Sequence, residues 1–493
     1  MSSPNDRMTK IRKMGCLLLW LLLSAMMAVG QTDAGTGQAP DDSQRNTPAP
    51  AFGQEAPAVV VNDNPPISAL DQPSLEPNIQ PRSMLLGGVE AAESLDSNIG
   101  SDARPAWHSV SHALAGLTLQ RLWSRYQVEG AYVGGATYYN AAGNGWRQVH
   151  DLQAQAAVLW RTGQLTIRDS FSYLPEGEFG GGSFGGAGGF QLGLGGLGAG
   201  MGVLGSGFGG QFGGQFGILG SGTVGSLGQS PRFNNVTMLE AVQGLSPRSS
   251  VTAAGSYGLV HFTDSTQGFI NSQQAAVQGG YNYSISRKDQ IAVTYGFQSF
   301  HFPAEVGADN VTSHVVQGMY GHRVSGRMDF EIGAGPQWTR IQEPFTGTNN
   351  RLSVAGRAIL RYRFKQTATS LSFVRFDSNG SGFFAGAQSN VASFQISRVL
   401  GRKYNAAGNV GFAHNQRLQS AALGVAATSY NYAFAGFTVR RQFGYNWGAF
   451  LGYQWNDQIF DTCPVVGTFC NRISVRHVAT IGVDWHFRPI RID

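Results

Sequence analysis

Apolar and polar side chains alternate along the chain from Tyr126 to Phe487, in runs separated by turn residues. The clearest run is the last one, Val475 to Phe487. One face carries Val475, Ala479, Ile481, Val483, Trp485 and Phe487, and the other carries Arg476, Thr480, Gly482, Asp484 and His486. Because successive side chains of a strand point to opposite faces, the run predicts a strand with one apolar and one polar side.

Sixteen such strands are predicted. They cover 126–139, 148–160, 164–174, 235–245, 249–262, 272–285, 289–302, 311–324, 327–341, 351–364, 368–377, 389–399, 403–415, 428–442, 446–457 and 473–487. Short turns alternate with longer loops between them, which is typical of barrels that cross a membrane as strands. The prediction is an all-β, closed antiparallel transmembrane β-barrel of about sixteen strands, with fourteen and eighteen left open.

The alternation also assigns an inner and an outer face to each strand. Placing a charge on the lipid-facing side costs about 2–4 kcal/mol at mid-bilayer, so the charged positions are predicted to face inward. The predicted pore-lining residues are Asp151, Asp329, Glu331, Arg351, Arg357, Arg361, Arg363 and Asp484.

The hairpin over residues 327–364 predicts how some of these charges pair. If its strands pair about a loop centre near residue 346, Asp329 lies opposite Arg363 and Glu331 lies opposite Arg361. Arg357 then faces Gly335 and has no partner in the hairpin. An uncompensated arginine in a narrow pore favours anions, so we expect a weak anion preference carried chiefly by Arg357. Arginines that only brace the wall are the alternative.

Two segments of the 493-residue chain precede the predicted barrel and differ in composition. Residues 1–30 combine Lys10, Arg12 and Lys13 with an apolar run and small residues at Ala28 to Gly30, which predicts a signal peptide cleaved near Gly30. Residues 31–108 are rich in proline and polar residues and predict a disordered periplasmic arm, with a docking motif around 68–81 as the alternative. The barrel is predicted to occupy 109–493, and the segment 112–123 is ambiguous between a lead-in strand, a helix and part of the first strand.

Composition narrows the function classes. Charged residues make up 13% of the chain, the net charge is +5, and four basic residues of the predicted signal peptide account for most of it. No basic stripe remains for nucleic acid. No other stretch approaches 18 apolar residues, so membrane residence is expected as strands rather than helices.

A glycine-rich loop, 177–231, lies between two predicted strands and has no charged residue between Phe179 and Pro231. It is predicted to fold inward as a constriction, to lie on the outer surface or to self-associate, and the sequence leaves the three open. Its matches to the G-x-G-x-x-G and G-x-S-x-G patterns lack the strand–turn–helix context that those sites require.

The remaining candidate chemistry is limited. Six residues separate Cys463 and Cys470 in a loop with no histidine nearby, which favours a disulfide over a metal site in an exported protein. The histidines show no metal-binding spacing, and no carboxylate pair or nucleophile suggests an enzyme. Neither a cofactor nor a metal is predicted.

The segment from about Ser109 to Phe487 resembles the porin-like outer-membrane β-barrel proteins of Gram-negative bacteria. The resemblance rests on the export signal, the strand rhythm, the loop asymmetry and the aromatic end of the last strand. It implies that Trp485 and Phe487 form the signal read by the barrel-insertion machinery, although six residues follow Phe487 here. The expected function is a passive channel for small polar solutes or ions in the bacterial outer membrane, with lipids as partners and homo-oligomers left open. The alternative is a structural or surface-interaction barrel that works through the glycine-rich loop and the arm.

Overall fold

The computed structural model of the protein describes residues 66–69, 83–99, 106–140, 145–174, 231–263, 269–303, 310–343, 347–401, 403–419, 427–462 and 472–492. All of them belong to one compact unit. The strands are β1 (Met84–Asp96), β2 (His108–Leu122), β3 (Tyr126–Tyr139), β4 (Gly145–Trp160), β5 (Gly163–Leu174), β6 (Arg232–Gly244), β7 (Ser249–Phe262), β8 (Ser272–Ser284), β9 (Asp289–His301), β10 (Asn310–Ser325), β11 (Met328–Glu343), β12 (Gly347–Arg363), β13 (Thr367–Ser378), β14 (Ala387–Leu400), β15 (Tyr404–Arg417), β16 (Ser429–Phe443), β17 (Trp447–Phe460), β18 (Ile473–His486) and the short β19 (Ile490–Arg491).

The strands form a closed antiparallel barrel. Each of β1 to β18 pairs with its neighbours in the chain, and β1 pairs with both β2 and β18, which closes the sheet. Closure leaves no unpaired strand edge, as a sheet in lipid requires. The predicted fold class is confirmed, but the barrel has eighteen long strands rather than about sixteen.

The two additional strands lie at the N-terminal end. β1 falls inside the range predicted to be a disordered arm, and β2 covers the ambiguous segment. In β1 the inward positions include Glu90, Ser94 and Asp96, while the outward row Val89, Ala91, Glu93 and Leu95 contains an acid. Because acidic residues lie on both faces, the sequence of β1 does not show a clear apolar–polar alternation. The strand is recognised only from its pairing with β2 and β18.

The two rims of the barrel differ as predicted. Connections at the rim that carries both Met84 and His486 have two to four residues, for example 161–162 and 326–327; we call this the short-turn rim. Most connections at the opposite rim are longer, such as 263–271, 379–386 and 461–472, and we call it the long-loop rim. The β11–β12 connection is an exception, because only residues 344–346 separate the strands. A long loop predicted there, over 342–350, is therefore wrong.

The outer face is apolar and carries aromatic residues toward both rims. Leu352, Val354 and Ile481 are exposed between the rims, and the aromatic residues nearest the rims include Trp107, Trp146, Trp338, Tyr445 and Trp447. Such bands are typical of barrels at the two membrane interfaces.

A tyrosine–histidine hydrogen bond recurs three times on the outer face, toward the long-loop rim. The hydroxyls of Tyr132, Tyr295 and Tyr453 lie 2.8–2.9 Å from Nδ1 of His150, His314 and His477. Pairing the polar tip of each ring with its neighbour lets the rings face an apolar environment without an unpaired group.

Several predictions fall on residues outside the described ranges. They are the signal peptide, the pairing of Cys463 with Cys470 and nearly all of the glycine-rich loop, and each stays a prediction. Among the described residues, no helix is long and apolar enough to span a membrane.

Candidate functional site

The inner face of the barrel is the candidate site, and the β11–β12 hairpin sets the position of its predicted charges. Asp329 lies opposite Arg361, and Arg357 lies opposite Gly333. This register differs by two residues from the predicted one, and the pairing extends to Glu343 and Gly347 at the long-loop rim. Gly347 has a φ of +86°. A positive φ is readily adopted by glycine.

The change of register changes the charge balance. Arg361 Nε lies 2.6 Å from Asp329 Oδ1, and the guanidinium of Arg357 forms an ion pair with Glu331. Arg357 is therefore compensated within the hairpin, and the expectation that it has no partner there is wrong. The physical reason is that residues two apart on a strand share a face, so an ion pair forms diagonally as well as directly across. The anion preference itself stays a prediction.

The other predicted pore-lining residues are spread around the wall. Arg351 Nη2 donates to Gln388 Oε1 at 3.1 Å, and Asp484 accepts from Arg440 at 2.5 Å. Asp151 accepts from Gln153 at 3.3 Å, and Arg363 lies at the end of β12 beside the short-turn rim. The structure thus places these side chains on one wall but does not gather them into a single cluster. Their role in lining a pore stays a prediction.

One buried ion pair was missed by the sequence reasoning. The Nε–H of Arg476 of β18 is shared between the two carboxylate oxygens of Asp96 of β1, at 2.7 and 2.9 Å, and Nη2 also donates to Oδ2. Both side chains are 2% exposed. The pair joins the first and last long strands, where the barrel closes. Arg476 was assigned to the polar face of its strand, but its partner lies in the range predicted to be an arm, so no signal in the sequence joined them.

The β13–β14 connection, residues 379–386, is the second element that the sequence did not single out. It contains a short 3-10 turn, Gly380–Gly382, and its residues are mostly buried. Ile270 N–H donates to Gly382 O at 2.9 Å, and Asn379 Nδ2 donates to Ser272 Oγ at 3.1 Å. The connection therefore reaches from β13 and β14 to the β7–β8 side of the barrel, across the long-loop end of the inner space. We call it the inward loop.

Aromatic contacts hold the inward loop in place. Phe383 meets Phe269, Tyr430 and Phe460 edge to face, with ring centroids 5.3–5.5 Å apart. Phe384 is 1% exposed and packs against Tyr430 at 5.6 Å. Such pairs add roughly 0.5–1.5 kcal/mol each beyond the area that they bury.

The sequence did contain a signal for the inward loop. Phe383 and Phe384 are adjacent apolar residues in a connection that also holds Gly380, Gly382 and Gly386, all three with positive φ. At Gly382 a Cβ would lie 2.5 Å from the ring of Phe262, so only glycine permits this approach. Two adjacent phenylalanines in a long loop between glycines indicate a loop that packs inward rather than one exposed to solvent.

Among the described residues, no group of three or more histidine, cysteine, aspartate or glutamate side chains is placed to hold a metal ion.

The last strand ends where the predicted insertion signal lies. Trp485 pairs with Trp447 on one side and Val89 on the other, and Phe487 N–H donates to Gly87 O at 3.1 Å. The role of Trp485 and Phe487 in insertion stays a prediction.

The closed barrel, its apolar outer face, its aromatic bands and its unequal rims are the features of a β-barrel that crosses a membrane with its strands. No protein-family model matches the chain, and no curated protein matches it.

Solved structures that match this chain do so at very low identity. OccK2 (OpdF) of Pseudomonas aeruginosa is 9% identical, with 82% of this chain and 98% of that chain covered and a TM-score of 0.41. OccAB3 of Acinetobacter baumannii is 10% identical, with 82% and 99% covered and a TM-score of 0.39. The FrpB iron transporter of Neisseria meningitidis is 9% identical, with 82% of both chains covered and a TM-score of 0.37. At these values the likeness carries no argument about function.

Proposed function

We propose that the protein is a passive channel for small polar solutes or ions in the bacterial outer membrane. The observation that carries the proposal is the contrast between an apolar outer face and an inner face lined with paired charges and amides. A barrel wall of this kind suits an aqueous passage, because the inward carboxylates of Asp96, Asp329, Glu331 and Asp484 are each paired with an arginine.

The charge pairing supports weak rather than strong selectivity. Arg357 and Arg361 are paired with Glu331 and Asp329, and Arg440 is paired with Asp484. The fields of two opposite charges at such short range largely cancel. What remains is screened by 0.1 M salt beyond a Debye length of about 10 Å. Size and polarity are then expected to select the solute more than its sign.

The inward loop supports a size limit at the long-loop end. It spans from β13–β14 to β7–β8, and its ring contacts with Tyr430 and Phe460 attach it to β16 and β17. A loop tied to several parts of a wall narrows the passage between them, so we expect it to set the largest solute that can pass.

Conductance across planar bilayers tests both the channel with its weak charge selectivity and the size limit set by the inward loop. We expect purified protein to give stable single-channel currents. In a salt gradient the reversal potential should be close to zero, because the channel discriminates little between anions and cations. In Phe383→Ala the edge-to-face contacts are lost, and we expect a larger conductance. The matched control is Phe373→Ala, which removes an exposed aromatic ring from the outer face of β13.

The outcomes separate the function from the role of the loop. Folded protein that inserts into bilayers but never conducts would overturn the channel. Equal conductance in Phe383→Ala and Phe373→Ala would leave the channel standing and remove the inward loop as its size limit.

A further inference from the structure

A short segment from before the first strand lies against the inner wall. Residues 66–69 form a turn in which Ala69 N–H donates to Pro66 O at 3.0 Å, and Ser68 and Ala69 are buried. The wall residues that the segment contacts belong to β7, β8, β10 and β12, near their short-turn ends. Part of the range predicted to be a disordered arm is thus attached to the barrel.

Ser68 has all of its polar groups bound by the wall. Its N–H donates to Asn282 Oδ1 at 3.1 Å, and its carbonyl accepts from Gln278 Nε2 at 3.3 Å. Its hydroxyl lies 2.5 Å from Thr252 Oγ1 and accepts from Asn282 Nδ2 at 2.6 Å. Asn282 therefore binds both the main chain and the side chain of Ser68, as a site that recognises a peptide does.

Arg357 binds the segment from the other side. Its Nη2 donates to Ile67 O at 2.6 Å, while the same guanidinium forms an ion pair with Glu331. The ion pair fixes the direction of the guanidinium, and a hydrogen bond from a charged donor is stronger than one between neutral groups. The carbonyl of Ile67 thus connects the segment to β12, while Ser68 connects it to β7 and β8.

The shape of the wall also matches the segment. At Gly280 a Cβ would lie 2.6 Å from Ser68 Oγ and 2.7 Å from Ser68 Cβ. At Gly321 a Cβ would lie 3.0 Å from Ile67 Cγ2. Glycine therefore stands at the wall positions where each of the two residues comes closest.

We propose that Thr252, Gln278, Asn282 and Arg357 form an internal peptide-binding site on the barrel wall, and that its occupant is the protein's own segment 66–69. Four main-chain or hydroxyl groups of the segment are bound, and two glycines give it room. The second part of the proposal rests on the proposed function: the bound segment restricts passage at the short-turn end of the channel.

Thiol labelling tests the site without any measurement of transport. Ala69→Cys is introduced with Cys463 and Cys470 replaced by serine, which keeps the hydrogen bonds of Ser68. Cys16 lies in the predicted signal peptide, so only one reactive thiol is expected in the processed protein. We expect a bulky maleimide to modify the thiol at position 69 slowly, and at least about tenfold faster when Gly280→Ala is added, since the bonds of Ser68 are then lost. Arg248→Cys, at an exposed turn of the same rim, gives the rate for an open position.

Gly258→Ala is the matched control. Gly258 is buried on the neighbouring strand β7, but a Cβ there would lie at an ordinary 3.7 Å from its nearest neighbour, Val236. Equal labelling at position 69 in the Gly280→Ala and Gly258→Ala proteins, or labelling in the starting protein as fast as that of the Arg248→Cys thiol, would overturn the site. If Gly280→Ala does not fold, Asn282→Ala with Asn409→Ala as its control makes the same comparison.

Conductance tests the restriction separately. We expect a larger conductance for Gly280→Ala than for Gly258→Ala. Faster labelling with equal conductance would keep the site and overturn the restriction. Protein that never conducts in any variant would overturn the proposed function, and the labelling result would still decide whether the segment is bound.

Discussion

The two ends of the inner space are built from different side chains. At the short-turn end the wall carries Asp329, Glu331, Arg357 and Arg361, with side chains from 4% to 30% exposed, in partly hydrated ion pairs. At the long-loop end the inward loop packs Phe383 and Phe384 into an aromatic cluster, and the ion pair between Asp96 and Arg476 is almost completely buried.

The difference shows how one alternating pattern produces two environments. Polar side chains lie on the inner face at both ends, but at the long-loop end the β13–β14 connection is long enough to fold back and pack against the wall. Burial then determines how much each ion pair contributes to folding stability. A solvent-exposed ion pair contributes little, whereas a buried charge that loses its partner destabilises the fold strongly. Four predictions test this contrast.

The largest expected effect is at the barrel seam. Arg476→Gln leaves the buried carboxylate of Asp96 without its cation, which costs about 4 kcal/mol of unfolding free energy. Urea unfolding of protein folded in lipid measures it. Arg340→Gln, which removes an exposed arginine, is expected to change the stability by less than about 0.5 kcal/mol. Equal stability of the two variants would show that the seam does not depend on this pair.

The inward loop is expected to loosen when its buried ring is removed. Phe384→Ala deletes a side chain that is 1% exposed, and the cost of opening the loop falls by about 3 kcal/mol. Hydrogen exchange of the Ile270 amide, which is bound to Gly382 O, should become faster by about two powers of ten. Phe373→Ala is the control, and unchanged exchange in Phe384→Ala would contradict the packing described here.

A smaller effect is expected for the same chemistry at the short-turn end. Arg361→Gln breaks the ion pair with Asp329, whose side chain is 30% exposed, and should cost about 1 kcal/mol. Asp329→Asn should cost a similar amount, and the double variant should cost less than the sum. A loss as large as that of Arg476→Gln would remove the contrast between the two ends.

The smallest expected effect concerns Asp461, in the connection after β17. Burial raises the pKa of its carboxyl, but hydrogen bonds from the hydroxyl of Thr428 and from three amide groups outweigh burial and hold the pKa below its ordinary value. The amides of Thr428, Ser429 and Thr462 lie 2.8–3.1 Å from its oxygens. Because the folded pKa is lowered, the contribution to stability is present above the unfolded pKa of about 3.9 and is lost as the pH falls through the folded value.

Exchange of the Thr462 amide should therefore become faster between pH 5 and about pH 3, after correction for the intrinsic rate. Asp461→Asn serves as the control, because its side chain does not titrate. The same corrected pH dependence in both proteins would show that Asp461 does not hold this connection.

The long strands with a regular apolar–polar alternation were predictable, because the alternation within each strand is enough to assign its inner and outer faces. β4 and β12 show this, with Leu152 and Leu352 exposed on the outer face, next in sequence to Asp151 and Arg351, which are predicted to face inward. β1 was not predictable in this way, since Glu93 interrupts its outer row and its inner acids resemble those of a solvated arm. Its strand pairing with β2 and β18 outweighs that local composition.

The candidate site was predictable only in part. The sequence placed Arg357 and Arg361 on the inner face, but a two-residue error in register gave Arg361 the wrong partner and left Arg357 without one. The inward loop has a sequence signal in Phe383, Phe384 and their glycines, yet its contacts with Phe269 and Phe460 join residues far apart in the chain.

By itself the sequence determined the class of fold, the asymmetry of the rims and the face on which most side chains lie, because alternation and turn residues are local properties. Only the tertiary structure decided the number of strands, the register of β11 with β12, the partner of Arg476 and the attachment of Ser68 to the inner wall. Each of these depends on which distant strand comes to lie beside another, and closure of the barrel fixes that choice for all the strands together.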